Sequence, residues 1–354
     1  MASSPPPRPQ MRKTRFVCIS DTHNQTPKLP RGDVLIHAGD LTNQGSLSEL
    51  QKTVAWLEKA DFEAKIIIAG NHDITLDAPF YDAHGTSWRF PSPQDPAACL
   101  GLLTTNASPS LTYLQHQPAS IRLRAPTGPH TRFTVFGSPY SPTLGQWAFQ
   151  YADATAAELW AAIPTDADVV VTHTPPRNHC DAAGAGRSHG CEALRRRLGR
   201  VRPRLVVCGH IHEGRGAERV RWAGDDDGED GWLEEGCEVW EDAGAGSKRQ
   251  SLVDLTGRGE GKGKGKGWRG LGDDGAETRH GMGSLGLGGR SKGGGEAGGV
   301  GVRREEGEER GRETCVVNAA FMAAGYGEGP KRFNKPIVVD MDLPIWTDGD
   351  DGEG

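Results

Sequence analysis

The chain has 354 residues, of which 35% are hydrophobic and 25% charged, and it carries a formal charge of −6. That length suits one large domain or two small ones. The acidic balance gives no support for nucleic-acid binding, which shows as a basic excess, and no run approaches the ~20 apolar residues of a membrane span.

Glycine divides the chain: 28 of its 50 glycines lie between Gly224 and Gly311. Seven cysteines are scattered without a framework, an odd count that fits a reducing compartment. Residues 1–13, MASSPPPRPQMRK, lack the apolar core of about 7–15 residues that a secretory signal needs. A soluble, cytoplasmic protein is expected.

In chain order, residues 1–13 are Pro-rich and polar and are expected to form a disordered arm. FVCIS (16–20) and DVLIHAG (33–39) read as buried strands. Residues 46–60 place Leu47, Leu50, Val54 and Leu57 at spacings of three and four, the period of an amphipathic helix. Ser46 is its N-cap and Glu49 completes a capping box. KIIIAG (65–70) reads as a parallel strand, and the order of these elements is an α/β pattern.

Residues 78–130 carry shorter elements, NASPSLTYL and ASIRLRA. RFTVFGSP (132–139), DVVVT (168–172) and RLVVCG (204–209) are further strands, and helices are expected at 154–163 and 191–201. After ERVRWA (218–223), residues 224–312 lose apolar periodicity and read as a long, mostly disordered insertion. Only WLEEGCEVW and QSLVDL within it are candidates for local structure. Closure entropy grows only logarithmically with loop length, so a fold tolerates such an insertion. Strands resume at ETCVVNAA (313–320) and KPIVVDMDL (335–343). The domain therefore spans 14–223 and 313–345, with an acidic tail at 346–354.

Five of the apolar runs give way to residues of the types that bind metals. FVCIS leads to Asp21 and His23, DVLIHAG to Asp40, and KIIIAG to Asn71, His72 and Asp73. DVVVT leads to His173, and RLVVCG to His210 and His212. Two residues apart on chain leaving a strand, Asp21 and His23 can reach one ion, as can His210 and His212. Asp40 has two oxygens to divide between ions, and Asn71 offers a neutral hard oxygen. His173 completes the set. Any one pair arises by chance, but the conjunction after successive strands suits a two-metal hydrolytic site.

Asp21-Thr-His23, Gly39-Asp40, Gly70-Asn71-His72-Asp73, Thr172-His173 and Gly209-His210-Ile211-His212 resemble the five blocks of the calcineurin-like metallophosphoesterase superfamily. The wording between blocks narrows the resemblance. GDVLIHAGD, IIIAGNHDITLD, VFGSPYSP, THTPPRNH, GHIHEGRG and VVNAA are similar to the metallophosphoesterase-domain-containing (MPPED-type) subgroup, itself similar to class III cyclic-nucleotide phosphodiesterases. The resemblance implies a four-layer α/β/β/α sandwich with the site at the strand carboxyl ends.

Carried over, Asp21, His23, Asp40 and His212 would bind one divalent ion, and Asp40, Asn71, His173 and His210 the other. His72 would touch the phosphate and protonate the leaving oxygen. Asp73 would orient His72 or fix the loop, and the residues leave both open. The ions would be Mn²⁺, Fe or Zn²⁺, since availability often decides. Thr174 stands where relatives often carry glycine and could narrow the approach.

Other features carry blander readings. His37 is expected as a buried, hydrogen-bonded core histidine. His179, Cys180, His189 and Cys191 have enough donors for zinc but fit no common finger spacing; a substrate-side loop is the preferred reading. Tyr140, Trp147, Phe149 and Tyr151 either stack a nucleobase or pack their loop, and the Gly-Lys tract reads as a solvated spacer. The expected function is dinuclear-metal hydrolysis of a small phosphate ester, a diester such as a cyclic nucleotide. The alternatives are a phosphomonoesterase of the same fold and a weakly catalytic nucleotide-binding or scaffold protein.

Overall fold

The computed structural model of the chain describes residues 9–88, 90–184, 186–223, 232–256, 268–270, 312–323 and 332–346. Two sheets organise it. The first orders its six strands Ser251–Asp254, Ile337–Pro344, Met11–Ile19, Val34–Ala38, Ala64–Ile68 and Leu111–Tyr113. From Met11–Ile19 to Leu111–Tyr113 the pairing is parallel. The second orders eight: Trp268–Gly270, Glu234–Trp240, Gly216–Trp222, Glu313–Asn318, Leu205–Cys208, Val169–Thr172, Arg132–Ser138 and Gln117–Arg122. Its centre, from Glu313–Asn318 to Arg132–Ser138, is also parallel.

Side chains alternate between the two faces of a strand, and here both faces are buried. Phe16, Cys18, Ile36 and Ile66 meet Phe133, Val169, Val171 and Val207 between the sheets. Val17, Ile19, Leu35 and Ile67 face the other way, onto helix Leu47–Lys59. On the far side, Val170, Val206 and Val316 meet helices Ala156–Ala161 and Glu192–Val201. The result is the expected four-layer α/β/β/α sandwich.

Helix Leu47–Lys59 starts where the capping signal placed it: Ser46 and Glu49 form a reciprocal capping box. Leu50 and Leu57 are fully buried, each contributing about 1.5–3 kcal/mol of transfer free energy.

Two boundaries differ from expectation. Met11–Lys13 are not part of a disordered arm but extend the first strand, pairing with Asp342–Pro344; residues 1–8 lie outside the described residues. The stretch 224–312 does not stand wholly apart. Glu234–Trp240 pairs antiparallel with Gly216–Trp222, and Ser251–Asp254 runs parallel to Ile337–Pro344. The two segments singled out within the insertion are thus strands of the two sheets, because each finds a free edge to hydrogen-bond. The Gly-Lys tract and the 347–354 part of the acidic tail lie outside the described residues. Among the described residues, no helix is long and apolar enough to cross a membrane.

Candidate metal centre

The parallel strands of both sheets end at one place, where an α/β sheet characteristically binds its ligands. Asp21, Asp40 and Asn71 come from the first sheet, and His173 and His210 from the second. His212 Nε2 lies 3.2 Å from Asp21 Oδ1. Asp40 stands between the halves: Oδ2 is 3.6 Å from His23 Nε2, and Oδ1 is 3.4 Å from His173 Nε2. Asn71 Oδ1 is 3.0 Å from the same His173 nitrogen. The structure brings Asp21, His23, Asp40, Asn71, His173, His210 and His212 together, with the Asp21–His23–His212 and Asp21–Asp40–His173 donors converging within 4.8 Å in each trio.

The backbone is bent to make this possible. Asp21, His23, Asp40 and His210 all have positive φ, between 44° and 65°, a conformation that non-glycine residues adopt at a cost and that clusters at functional sites. Gly39, at φ 97°, could not carry a side chain: its Cβ would sit 2.5 Å from His173 Nδ1 and 2.6 Å from the Ala69 carbonyl oxygen. Hydrogen bonds then hold the loops. His210 N donates to both oxygens of Asp21 at 3.1 Å. Asn24 Nδ2 donates to Glu49 Oε1 at 2.7 Å, tying the Asp21–His23 loop to the capped helix.

The charges explain why such a cluster favours cations. Burial pushes the Asp21 carboxyl up, but His212 outweighs it and leaves Asp21 at about 2. Asp40 is likewise held well below its usual range, burial being overcome by His173 and His72. Burial opposes a charge on His173, yet Asp40 raises it to about 9. His210 moves the other way, down to about 4, through burial and repulsion from His173. Two buried carboxylates therefore stay ionised while imidazoles hold the compensating protons, which metal binding would release.

One buried atom tests the fit directly. His23 Nε2 has no hydrogen-bond partner although the residue is only 4% exposed, and an orphaned buried nitrogen is costly. With that nitrogen deprotonated, His23 can offer its lone pair to a divalent ion beside Asp40. The residues fit two such ions, and the donor set of carboxylate, amide and imidazole suits Mn²⁺, Fe or Zn²⁺.

His72 and Asp73 have different surroundings. The half-buried His72 ring borders the cavity formed by Asp40, Asn71, His210 and His212. Its Nδ1 is 2.9 Å from the Asn43 carbonyl, which can only accept, so Nδ1 carries a proton and Nε2 is left for the site. Asp73 is fully buried and accepts from Leu41 N, Thr42 N, Thr42 Oγ1 and Gly70 N at 2.7–3.1 Å. These are the bonds of a brace joining the Asp40 and Asn71 loops. The hydrogen bonds of Asp73 thus fix the loop, while the Asn43 carbonyl is the partner of His72 Nδ1.

Of the aromatic candidates, Trp147 borders the cavity with Leu144 and Gln150. Its ring centroid is 4.2 Å from that of His72 and 4.8 Å from that of Trp88. Phe149 and Tyr151 instead pack into the two helix-side cores. His37 is a buried core histidine bonded to Thr22 Oγ1 at 2.9 Å. Cys191 caps helix Glu192–Val201, and His179 faces Glu218 and Glu234, contacts that brace this segment against the fold. Asn318 was not singled out as a site residue. Its Nδ2 clamps the Cys180 and Ile211 carbonyls at 2.9 and 2.8 Å, and its position at a strand end was the only available signal.

Comparison with known proteins agrees with this geometry. A family profile described as "Calcineurin-like phosphoesterase" matches residues 14–214. The chain is 42% identical over 210 residues to "Probable rhamnogalacturonate lyase C" of Emericella nidulans, a match covering 59% of this chain and 18% of that protein. It is 39% identical over 215 residues to "Metallophosphoesterase domain-containing protein 1" of Homo sapiens and of Mus musculus, covering 57% of this chain and 62% of each relative. The chain thus spans less than two thirds of the length of these relatives.

Proposed function

The chain belongs to the calcineurin-like phosphoesterase family, and from that premise we propose that it is a metal-dependent phosphoric ester hydrolase. Its substrate is a small phosphate diester such as a cyclic nucleotide. Asp21, His23, Asp40 and His212 would hold one divalent ion, and Asp40, Asn71, His173 and His210 the other. Bound there, the ions supply Lewis acidity toward the phosphoryl oxygens and lower the pKa of water toward neutrality.

The observation that carries the reading is the orphaned Nε2 of His23 beside Asp40, within a cluster that both sheets build. The chain's own residues have separable tasks. Asp40 holds the halves together and fixes the loop of His72 through that residue's backbone N–H. His72 presents Nε2 to the substrate; when protonated it donates to a phosphoryl oxygen and passes its proton to the departing oxygen. Trp147 forms an apolar wall beside His72 and supplies a face on which a base can stack.

The test compares bis-p-nitrophenyl phosphate with p-nitrophenyl phosphate, using Mn²⁺-reconstituted protein and an Asp40→Asn control. Faster diester cleavage that is lost in the control, together with one or both ions, supports the proposal. A monoester preference would replace the diester reading, and activity unchanged in the control would overturn the metal centre.

A further inference from the structure

A second group of ligand-type side chains lies elsewhere on the fold, with donors different from those around Asp40. His179 is on the loop after Val169–Thr172, Glu218 on strand Gly216–Trp222, and Cys237 on strand Glu234–Trp240. The register places Val220 opposite Cys237. Glu218, two residues from Val220, therefore shares a face with Cys237 as its diagonal neighbour. His179 Nδ1 is 2.8 Å from Glu218 Oε2 and 3.9 Å from Cys237 Sγ, and Cys237 Sγ is 3.4 Å from Glu218 Oε2. One donor atom from each residue thus meets within 4.8 Å.

We propose that His179, Glu218 and Cys237 form an additional divalent-metal site, suited to zinc and separate from the Asp40 centre. Mixed nitrogen, oxygen and thiolate donors select zinc over magnesium or calcium. The surroundings are those of a ligated imidazole. His179 Nε2, the nitrogen turned away from the trio, bonds Glu234 Oε1 at 3.0 Å, and Arg195 Nη1 holds the same oxygen at 2.7 Å. Such a carboxylate behind a metal-bound histidine fixes its tautomer and direction. Glu218 is aimed in the same way, since its other oxygen accepts from Cys180 N at 3.3 Å.

Burial and access are both suitable. His179 is 2% exposed and so rigidly placed, while the Glu218 side chain keeps 16% exposure, enough for an ion to enter. Binding would exchange the His179 Nδ1 proton and the Cys237 thiol proton for one divalent ion, releasing two protons. Three protein ligands leave the fourth position to water.

The bound ion would join the loop carrying His179 to the first strand of the glycine-rich insertion. Through Asn318, which bonds both Cys180 and Ile211, that loop also shares a clamp with the His210–His212 segment.

The experiment strips the full chain with a chelator and reloads it with Co²⁺. A thiolate-to-cobalt charge-transfer band needs a sulfur ligand, and the Asp40 centre has none. The wild type is expected to show the band, Cys237→Ser to lose it together with one ion per chain, and Asp40→Asn to keep it. A fully loaded wild type without the band, or a band that survives Cys237→Ser, overturns the proposal. A second measurement needs no variant. Cys237 alone among the seven cysteines is not buried, so zinc should slow its alkylation severalfold. Equal alkylation rates with and without zinc also overturn the site.

Discussion

The backbone N–H of His72 donates to Asp40 Oδ1 at 2.9 Å. The residue proposed to touch the phosphate is thereby fixed to the carboxylate proposed to lie between the ions. That bond uses the main chain, so it survives removal of the His72 ring.

His72→Ala should therefore keep its full metal content while its turnover falls. For esters with poor leaving groups the loss should be about 10²–10⁴-fold, the contribution of a positioned proton donor. Loss on p-nitrophenyl esters should be much smaller, because their leaving group needs no proton. Equal losses on both classes would remove the proton-donor role.

Trp147→Ala tests the stacking wall. Its ring lies over His72 and Trp88 without coordinating anything, so metal content should not change. KM for a nucleotide diester should rise by the equivalent of about 1–3 kcal/mol, the worth of one aromatic–base stack. KM for a methyl phosphate diester should move little. A parallel rise for both would assign Trp147 to holding His72.

Gly39→Ala tests the geometry of the centre. The position has φ 97°, and a Cβ there would meet His173 and Ala69. The variant should lose about 1–3 kcal/mol of stability and bind its metals more weakly, because His173 must shift. Calorimetry and metal analysis check this, and unchanged values on both would refute the crowding argument.

Asp340 couples stability to pH far from the site. It is clamped by Arg15 at 2.6 and 2.7 Å, with Lys13 at 3.4 Å. Burial alone would raise its carboxyl, but Arg15 holds it below the ordinary range. A depressed folded pKa contributes stability above the ordinary carboxyl value of about 3.9, and that stability is lost as pH falls through the folded value. Asp340→Asn should cost about 1–2 kcal/mol at pH 7 and much less near pH 3. Urea denaturation at the two pH values measures it, and an equal gap at both would show that the pair does not titrate with unfolding.

Some of this was readable before folding because strands announce themselves and their ends are chemically distinct. Apolar runs such as KIIIAG and RLVVCG marked buried parallel strands, and the polar residue after each run had to emerge at a carboxyl end. The candidate ligands from Asp21 to His212 were therefore visible as a series, and Ser46 with Glu49 marked the start of a helix. Asp73 was less legible. A carboxylate beside His72 looked equally able to orient the ring or fix a loop, and the choice depended on donors from residues 41 and 42, some thirty positions earlier.

The sequence by itself determined the alternating layers, the cap at Ser46 and the order of the site residues, because those follow from local periodicity and from groups that must leave a strand where it ends. Only the tertiary structure decided three further matters. Met11–Lys13 became strand because Asp342–Pro344 lay alongside. Glu234–Trp240 joined a sheet because Gly216–Trp222 offered an edge. His179 met Glu218 and Cys237, 39 and 58 residues away. Each depends on a partner distant in the chain, and a hydrogen bond or ion pair between such residues exists only after the intervening chain has folded.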